Sequence, residues 1–530
     1  MNLLRGEAQI PEKEQGLRVA CLRLMFLGLC LLWVHTRGYS STTHVQRALE
    51  LLNRGDLAAA ESEARLALHN PENRAVAWAM LGTIRLRQNQ YEEGAEFLRK
   101  ALRLDPRLTG ALVSLGGAYL LQGRKDQARD TFRKALELDP TNANARLDLA
   151  ELESEAGNYK ASLATAENIS DALRRSPQGV LLLARDYTGL QERDAVRGLL
   201  PDWEALSDPP ADSSINFAAL LIKNGLTREA AAVLEKTKRS GHVSYSLYFM
   251  LADCYFSTGN RRQASENYEA ALGLKADCVA CLERLAALAR REGNSEKALA
   301  YLVQARGAEP DNPEVLFELG KLCLERDLLE DALAALQKAA AMSPENDSYS
   351  YLLGSAYIGK GTYKPAVLVF RRLVAKHPSD AAVNYALGCA LYLDQDFDQA
   401  DRYLSESLRL QPRQRAASYY LGLVADKKND SVRAFRILSE LVARYPDFVQ
   451  AHEALGTLLV KARQYPQAKD QLDTAIRLDP NSLQAHYQLG ILLGRTGKQE
   501  ESQREIELAR SIESEQRAHK SAQIRLLLPE

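Results

Sequence analysis

The chain has 530 residues, 46% hydrophobic and 26% charged, and its 68 Lys and Arg against 69 Asp and Glu leave a formal net charge of −1. That length exceeds what one hydrophobic core sustains, so a modular chain is expected, and the composition is that of a folded protein rather than a disordered one. The balanced charge offers no field for nucleic acid or an anionic membrane surface, and seven cysteines are too few for a disulfide framework.

Residues 1–40 differ from the rest. Arg18 and Arg23 precede an apolar run, "LMFLGLCLLWV" from Leu24 to Val34, too short to span a bilayer comfortably but matching the hydrophobic region of an export signal. Gly38 and Ser40 supply small residues before a cut near Ser41, so the mature protein is expected to be exported, periplasmic or secreted. Glu7, Glu12 and Glu14 make the leader unusually acidic, which leaves open an uncleaved membrane anchor or a misassigned start with a cytoplasmic protein. Neither Cys21 nor Cys30 has the surroundings of a lipid-anchor cysteine.

From Ser41 a ruler of 34 residues brings like residues to like marks over fourteen windows, 41–516. Mark eight is Gly or Ala in every window, from Ala48 and Gly82 to Gly490, and mark seven is Leu in all but Arg47 and Phe217. Apolar residues at marks four, seven and eleven, and again at twenty, twenty-four and twenty-seven, follow helical spacing, so each window predicts two helices. Small residues at marks eight and twenty allow the paired backbones to approach closely. Turn residues near mark fifteen, such as Gly123, Gly259 and Gly497, separate the two helices, and a proline at mark thirty-two, as at Pro106, Pro140 and Pro480, ends the second.

The windows divide in chain order. Repeats 1–3 occupy 41–142; repeats 4–6, at 143–244, are divergent; repeats 7–14 occupy 245–516; and 517–530 is a tail expected to extend and cap the last helix. The divergence lies in a missing closing proline in 143–176, in Pro201 inside an expected second helix, and in "SDPPADSS" at 207–214. Proline inside a helix costs about 3 kcal/mol unless the helix begins or ends there, so the stack is expected to bend or loosen here, with drift of repeats that bind nothing as the alternative.

The set Trp78, Leu115, Gly116, Tyr119, Ala128, Phe132, Ala135 and Pro140 resembles the signature of the tetratricopeptide repeat family, and the resemblance runs over some nine tenths of the chain. It implies an all-α fold: an α-solenoid, a right-handed superhelix of antiparallel helix pairs in which the first helix of each pair lines a concave groove. Marks two, five, nine, twelve and thirteen then face that groove. Mark five carries Phe249, Phe317, Tyr351, Tyr385, Tyr419 and Tyr487, and mark twelve adds Phe256 and Tyr392, an aromatic ladder suited to anchoring an extended peptide. The alternative is that these rings pack sideways against neighbouring helices. Charges at the groove marks alternate in sign, among them Asp253, Arg290, Arg291, Lys321, Glu325, Asp426, Lys427, Lys461 and Arg495, which does not favour a polyanion. The family's clamp for acidic chaperone tails, Lys at mark five with Asn at mark nine, occurs in no window, and its asparagine ladder at mark six is reduced to Asn216.

Chemistry is mostly withdrawn on inspection. "GRTGKQ" at 494–499 lacks the first glycine and the Ser or Thr of a phosphate-binding loop. Cys278 and Cys281 have the spacing of a redox or metal half-site but no second pair; two small residues filling a tight junction is the plain reading, with a disulfide in an exported protein as the alternative. His452 and His486, both at mark four, are expected in the packing between helices rather than at a metal. No enzyme, cofactor, metal or small-molecule substrate is therefore expected. The anticipated role is a noncatalytic scaffold or adaptor for a protein or extended peptide, the alternative being a structural component of an envelope or secretion assembly.

Overall fold

The computed structural model describes residues 43–516, so the export reading of 1–40 and the capping reading of 517–530 fall outside the described residues. Among the described residues the chain is a succession of helical hairpins without strands. A regular repeat sets its first helix on marks one to thirteen, as in Thr109–Leu121, and its second on marks seventeen to thirty, as in Lys125–Leu138. Short polar residues at mark thirty-four start the first helices. Asn142, Ser176, Ser244, Asn312, Asn346, Asp380 and Ser482 each accept a hydrogen bond from a backbone N–H of the turn they precede, satisfying donors that no helical carbonyl reaches.

The turn at mark fifteen is left-handed in all fourteen repeats, with φ between 60° and 84°. Eight of these positions are glycine; the other six are Asn89, Gln191, Asp327, Gln395, Asn429 and Arg463, which adopt the same conformation against the steric preference of a side chain. The following N–H turns back to the carbonyl of mark eleven, as Arg124 does to Tyr119 at 2.8 Å, and this bond closes the helix end.

Mark eight does what its size predicts. A β-carbon on Gly82, Gly116, Gly320, Gly354, Gly388, Gly422, Gly456 or Gly490 would fall 2.5–2.8 Å from the mark-24 side chain of the partner helix: Leu98, Phe132, Leu336, Phe370, Leu404, Leu438, Leu472 or Ile506. The absent methyl is thus the space into which the bulky residue of the second helix inserts. A further device ties some pairs to the preceding loop, where a polar mark-four side chain donates to the mark-32 proline carbonyl: Arg146 to Pro140 at 2.8 Å and Asn384 to Pro378 at 2.9 Å.

In repeats 4 and 5 the second helices are broken, whereas repeat 6 keeps a continuous one, Thr227–Arg239. Repeat 4 has Tyr159–Ala166, a 3-10 turn at Glu167–Ile169 and the short Ser170–Leu173; repeat 5 has Arg193–Arg197 and Leu200–Ala205. Pro201 stands in the first turn of the latter, where its missing N–H costs nothing. The breaks do not loosen the packing. Trp203 is buried and stacks on Phe217 with ring centroids 4.5 Å apart, at the centre of a core running from Ala150 to Cys254.

The chain forms two compact units, one up to Ala264 and one from Ser265. Within each unit, successive first helices touch along the row, whereas second helices of neighbouring repeats meet sparsely. This asymmetry places the first helices on the inner side of each unit.

Candidate functional site

The inner row of the first unit is aliphatic at mark five, with Val45, Val113, Leu147, Leu181 and Ile215, until Phe249 closes it. Phe249 is half-buried and stacks on Tyr245 at 5.6 Å; Phe256 is also half-buried. The second unit holds the rest of the predicted ladder. Phe317 stacks on Tyr349 at 4.7 Å, and Tyr351 meets Phe370 of its own repeat edge-on at 5.4 Å. Tyr487 is 47% exposed.

Tyr385 does not offer the surface expected of it. It is 4% exposed and packs edge-on against Tyr420 at 6.1 Å, because its neighbours at marks six and nine, Ala386 and Cys389, are small and let the ring sink into the core. The centre of the cluster is instead Tyr420, at mark six and absent from the predicted set. Its ring lies 5.5 Å from Tyr392 and 5.3 Å from Tyr419, while Tyr419 also meets Phe448 at 5.7 Å and Tyr392 meets Phe397 at 5.9 Å. The consecutive "YY" at 419–420 is the sequence signal that marked it, two adjacent faces of one helix both carrying phenols. Burial raises the pKa of Tyr351, Tyr385, Tyr392, Tyr419 and Tyr420, and burial also raises those of Glu283 and Glu453, the carboxylates that replace aromatics at mark five. Glu453 accepts a hydrogen bond from the Ser482 hydroxyl.

Several groove charges are spent on one another. Mark twelve of one repeat and mark thirteen of the next meet across the inner face: Arg290 pairs with Glu325 at 2.6 Å and Lys461 with Asp426 at 2.5 Å, and Arg290 also reaches Glu318, at mark six, at 2.9 Å. Arg495 donates to the Val460 carbonyl at 3.1 Å and Arg87 to that of Leu52 at 2.5 Å across the same interval. The alternation of sign seen in the sequence is therefore a stitch between neighbouring repeats in these places.

Cys278 and Cys281 are joined by a disulfide, their Cα atoms 5.3 Å apart and both side chains buried, so the unbridged reading gives way to the bridged one. Cys278 occupies mark thirty-four and its sulfur accepts from the Cys281 N–H at 3.1 Å, doing the capping work of Ser or Asn elsewhere. The remaining described cysteines, Cys254, Cys323 and Cys389, are buried and free, with burial raising their thiol pKa values. His452 and His486 sit in the packing: each Nε2 faces a proline carbonyl, Pro446 at 3.1 Å and Pro480 at 3.0 Å, and each Nδ1 faces a second-helix side chain, Gln471 at 2.7 Å and Glu505 at 2.6 Å. Gly497 is the left-handed turn of repeat 14, and Lys498 donates to Glu501 at 3.0 Å. Among the described residues no group of three His, Cys, Asp or Glu side chains could hold a metal, and no helix is long and apolar enough to cross a membrane.

A comparison with curated proteins finds no match. Among solved structures, the chain is similar to MamA from Desulfovibrio magneticus RS-1, at 24% identity over 31% of this chain and 93% of that one with a TM-score of 0.30. It is similar to the APC/C hetero-tetramer Cut9–Hcn1 at 15% identity, over 86% and 96% with a TM-score of 0.38, and to yeast Tom70 at 16%, over 84% and 97% with a TM-score of 0.31. Family profiles described as tetratricopeptide repeat match residues 45–109, 80–143, 126–185, 245–278, 289–355, 328–388, 385–447 and 453–509, more than half of the chain, with 186–244 the longest stretch of the repeats outside the matched segments. With the helix pairs, the mark-eight packing and the repeated left-handed turn already established, the chain belongs to the tetratricopeptide repeat family.

Proposed function

We propose that this protein is a noncatalytic scaffold that holds a polypeptide partner in extended form along its first-helix face, with the aromatic row of the second unit as its anchor. The observation that carries this reading is the combination of half-buried rings at Phe317, Tyr351, Tyr392 and Tyr419 with groove charges already engaged by their neighbours. Rings held by packing present contact area at little entropic cost, whereas self-paired charges add nothing to a ligand. On the export reading of residues 1–40, the partner is met in the periplasm or outside the cell.

A second reading, a structural component without a dedicated peptide site, draws on the second helices. Val432 is 84% exposed, and Phe435, one turn further along Ser431–Arg444, is exposed as well. Placing a photo-crosslinking residue at Tyr487 or Phe317 in one set of full-length variants, and at Val432 or Leu368 in another, separates the two. The scaffold reading expects a polypeptide captured from the native host only by the first set. Capture by the second set alone refutes it in favour of the structural role.

A further inference from the structure

We propose that the segment held by repeats 10–12 is uncharged and proline-containing, lying in the polyproline II conformation on Tyr392, Tyr419 and Tyr420. This rests on the groove reading above and names the chemistry of its ligand. Three observations in the second unit point to it.

The first is charge. Between Glu325 at mark thirteen of repeat 9 and Asp426 at mark twelve of repeat 12, no groove mark carries Asp, Glu, Lys, Arg or His, and both bounding carboxylates are engaged, by Arg290 and by Lys461. A charged segment laid here would surrender hydration without gaining a counter-charge, while an uncharged one loses nothing of the kind.

The second is rigidity. Tyr420 is edge-on to both Tyr392 and Tyr419, and each ring has a further partner: Phe397 for Tyr392, Phe448 for Tyr419 and the buried Tyr385 for Tyr420. The half-buried rings form a fixed platform, the kind of surface on which pyrrolidine rings stack.

The third is hydrogen bonding. The hydroxyls of Tyr392, Tyr419 and Tyr420 donate to no described residue and are not among the buried side-chain atoms left without a partner, so they open to the surface. Three surface O–H donors with no acceptor on the protein suit a segment rich in carbonyls. Proline supplies a carbonyl without an N–H of its own, and its chain is already extended before binding, so little conformational entropy is lost.

The test uses the full-length protein and three fluorescent peptides of equal length: one alternating Pro with Ala, Gln and Leu, and two in which the Gln positions are replaced by Glu or by Lys. Anisotropy titrations at low and high salt should show the uncharged peptide binding at least tenfold more tightly than either charged one, with less than about a twofold change between salts. Tyr420→Ala should weaken that binding by about tenfold or more. Tyr392→Phe and Tyr420→Phe, which keep the ring packing, should weaken it severalfold. Preferred binding of a charged peptide, with a steep salt dependence, overturns the inference while leaving the scaffold reading intact if Tyr487→Ala or Phe317→Ala weakens it. Binding of the proline peptide that is unchanged in both Phe variants and in Tyr420→Ala overturns the site. Failure of all three peptides, alongside capture at Tyr487 in the crosslinking experiment, overturns the ligand chemistry alone; failure of both experiments removes the groove reading too.

Discussion

Adding one methyl group at Gly354 tests the link from the repeat pattern to the groove. The new carbon would lie 2.5 Å from Cζ of Phe370, with Cε2 and Cε1 at 2.8 and 2.9 Å, where ordinary contact begins at 3.4 Å. The ring must therefore retreat by about 0.9 Å, and Phe370 is 1% exposed, so the shift is passed to the side chains packed around it. Overpacking of this kind costs about 1–3 kcal/mol, partly offset by about 1 kcal/mol gained from replacing glycine inside a helix. Because Phe370 meets Tyr351 edge-on, the displacement is also carried to the groove. Urea unfolding followed by circular dichroism is the assay, with Phe370→Leu and the double variant completing a cycle. Gly354→Ala should lower stability by about 1 kcal/mol, and the double variant should be more stable than the sum of the single effects by at least about 0.5 kcal/mol. A single variant within about 0.5 kcal/mol of the parent, or strict additivity in the cycle, would refute the argument that mark eight is small because mark twenty-four fills its space.

Three further outcomes are expected. Glu61 receives two hydrogen bonds from Arg85, at 2.7 and 2.8 Å, and this pairing holds its carboxyl at about 2, below the ordinary 4.5. A depressed carboxylate pKa contributes stability that is present above 4.5 and lost as pH falls toward 2, so Glu61→Gln should remove on the order of 2 kcal/mol of that pH dependence, read from melts across the window. Arg463→Gly, at φ 60°, should raise stability by about 0.5–1 kcal/mol, whereas Gly497→Ala, at φ 84°, should lower it by about 1 kcal/mol; a fall for the first and a rise for the second in calorimetry would contradict the left-handed turn. Alkylation of the denatured, unreduced protein followed by peptide mass spectrometry should leave Cys278 and Cys281 unmodified until reductant is added; immediate labelling of both would contradict the disulfide.

Periodicity was enough to read the helix pairs, their limits and the close contact at mark eight, because these depend on residues a fixed distance apart in one hairpin. The N-cap role of mark thirty-four and the left-handed backbone at Gln191, Gln395 and Arg463 were equally local, yet only the glycines among the turn residues announced themselves by type. Side-chain placement on the inner face was not local. Whether a ring at mark five is buried depends on the size of what surrounds it in the folded row, which is why Tyr385 sank while Tyr487 stayed out and Tyr420 became the hub. The same holds for Arg290 with Glu325 and Lys461 with Asp426: composition counts these charges as free, and stacking one helix pair on the next brings them into contact. Residue spacing along the chain thus settled the architecture, since helices form from neighbours, while the surface left for a partner emerged from contacts between segments some 35 residues apart, which no local pattern encodes.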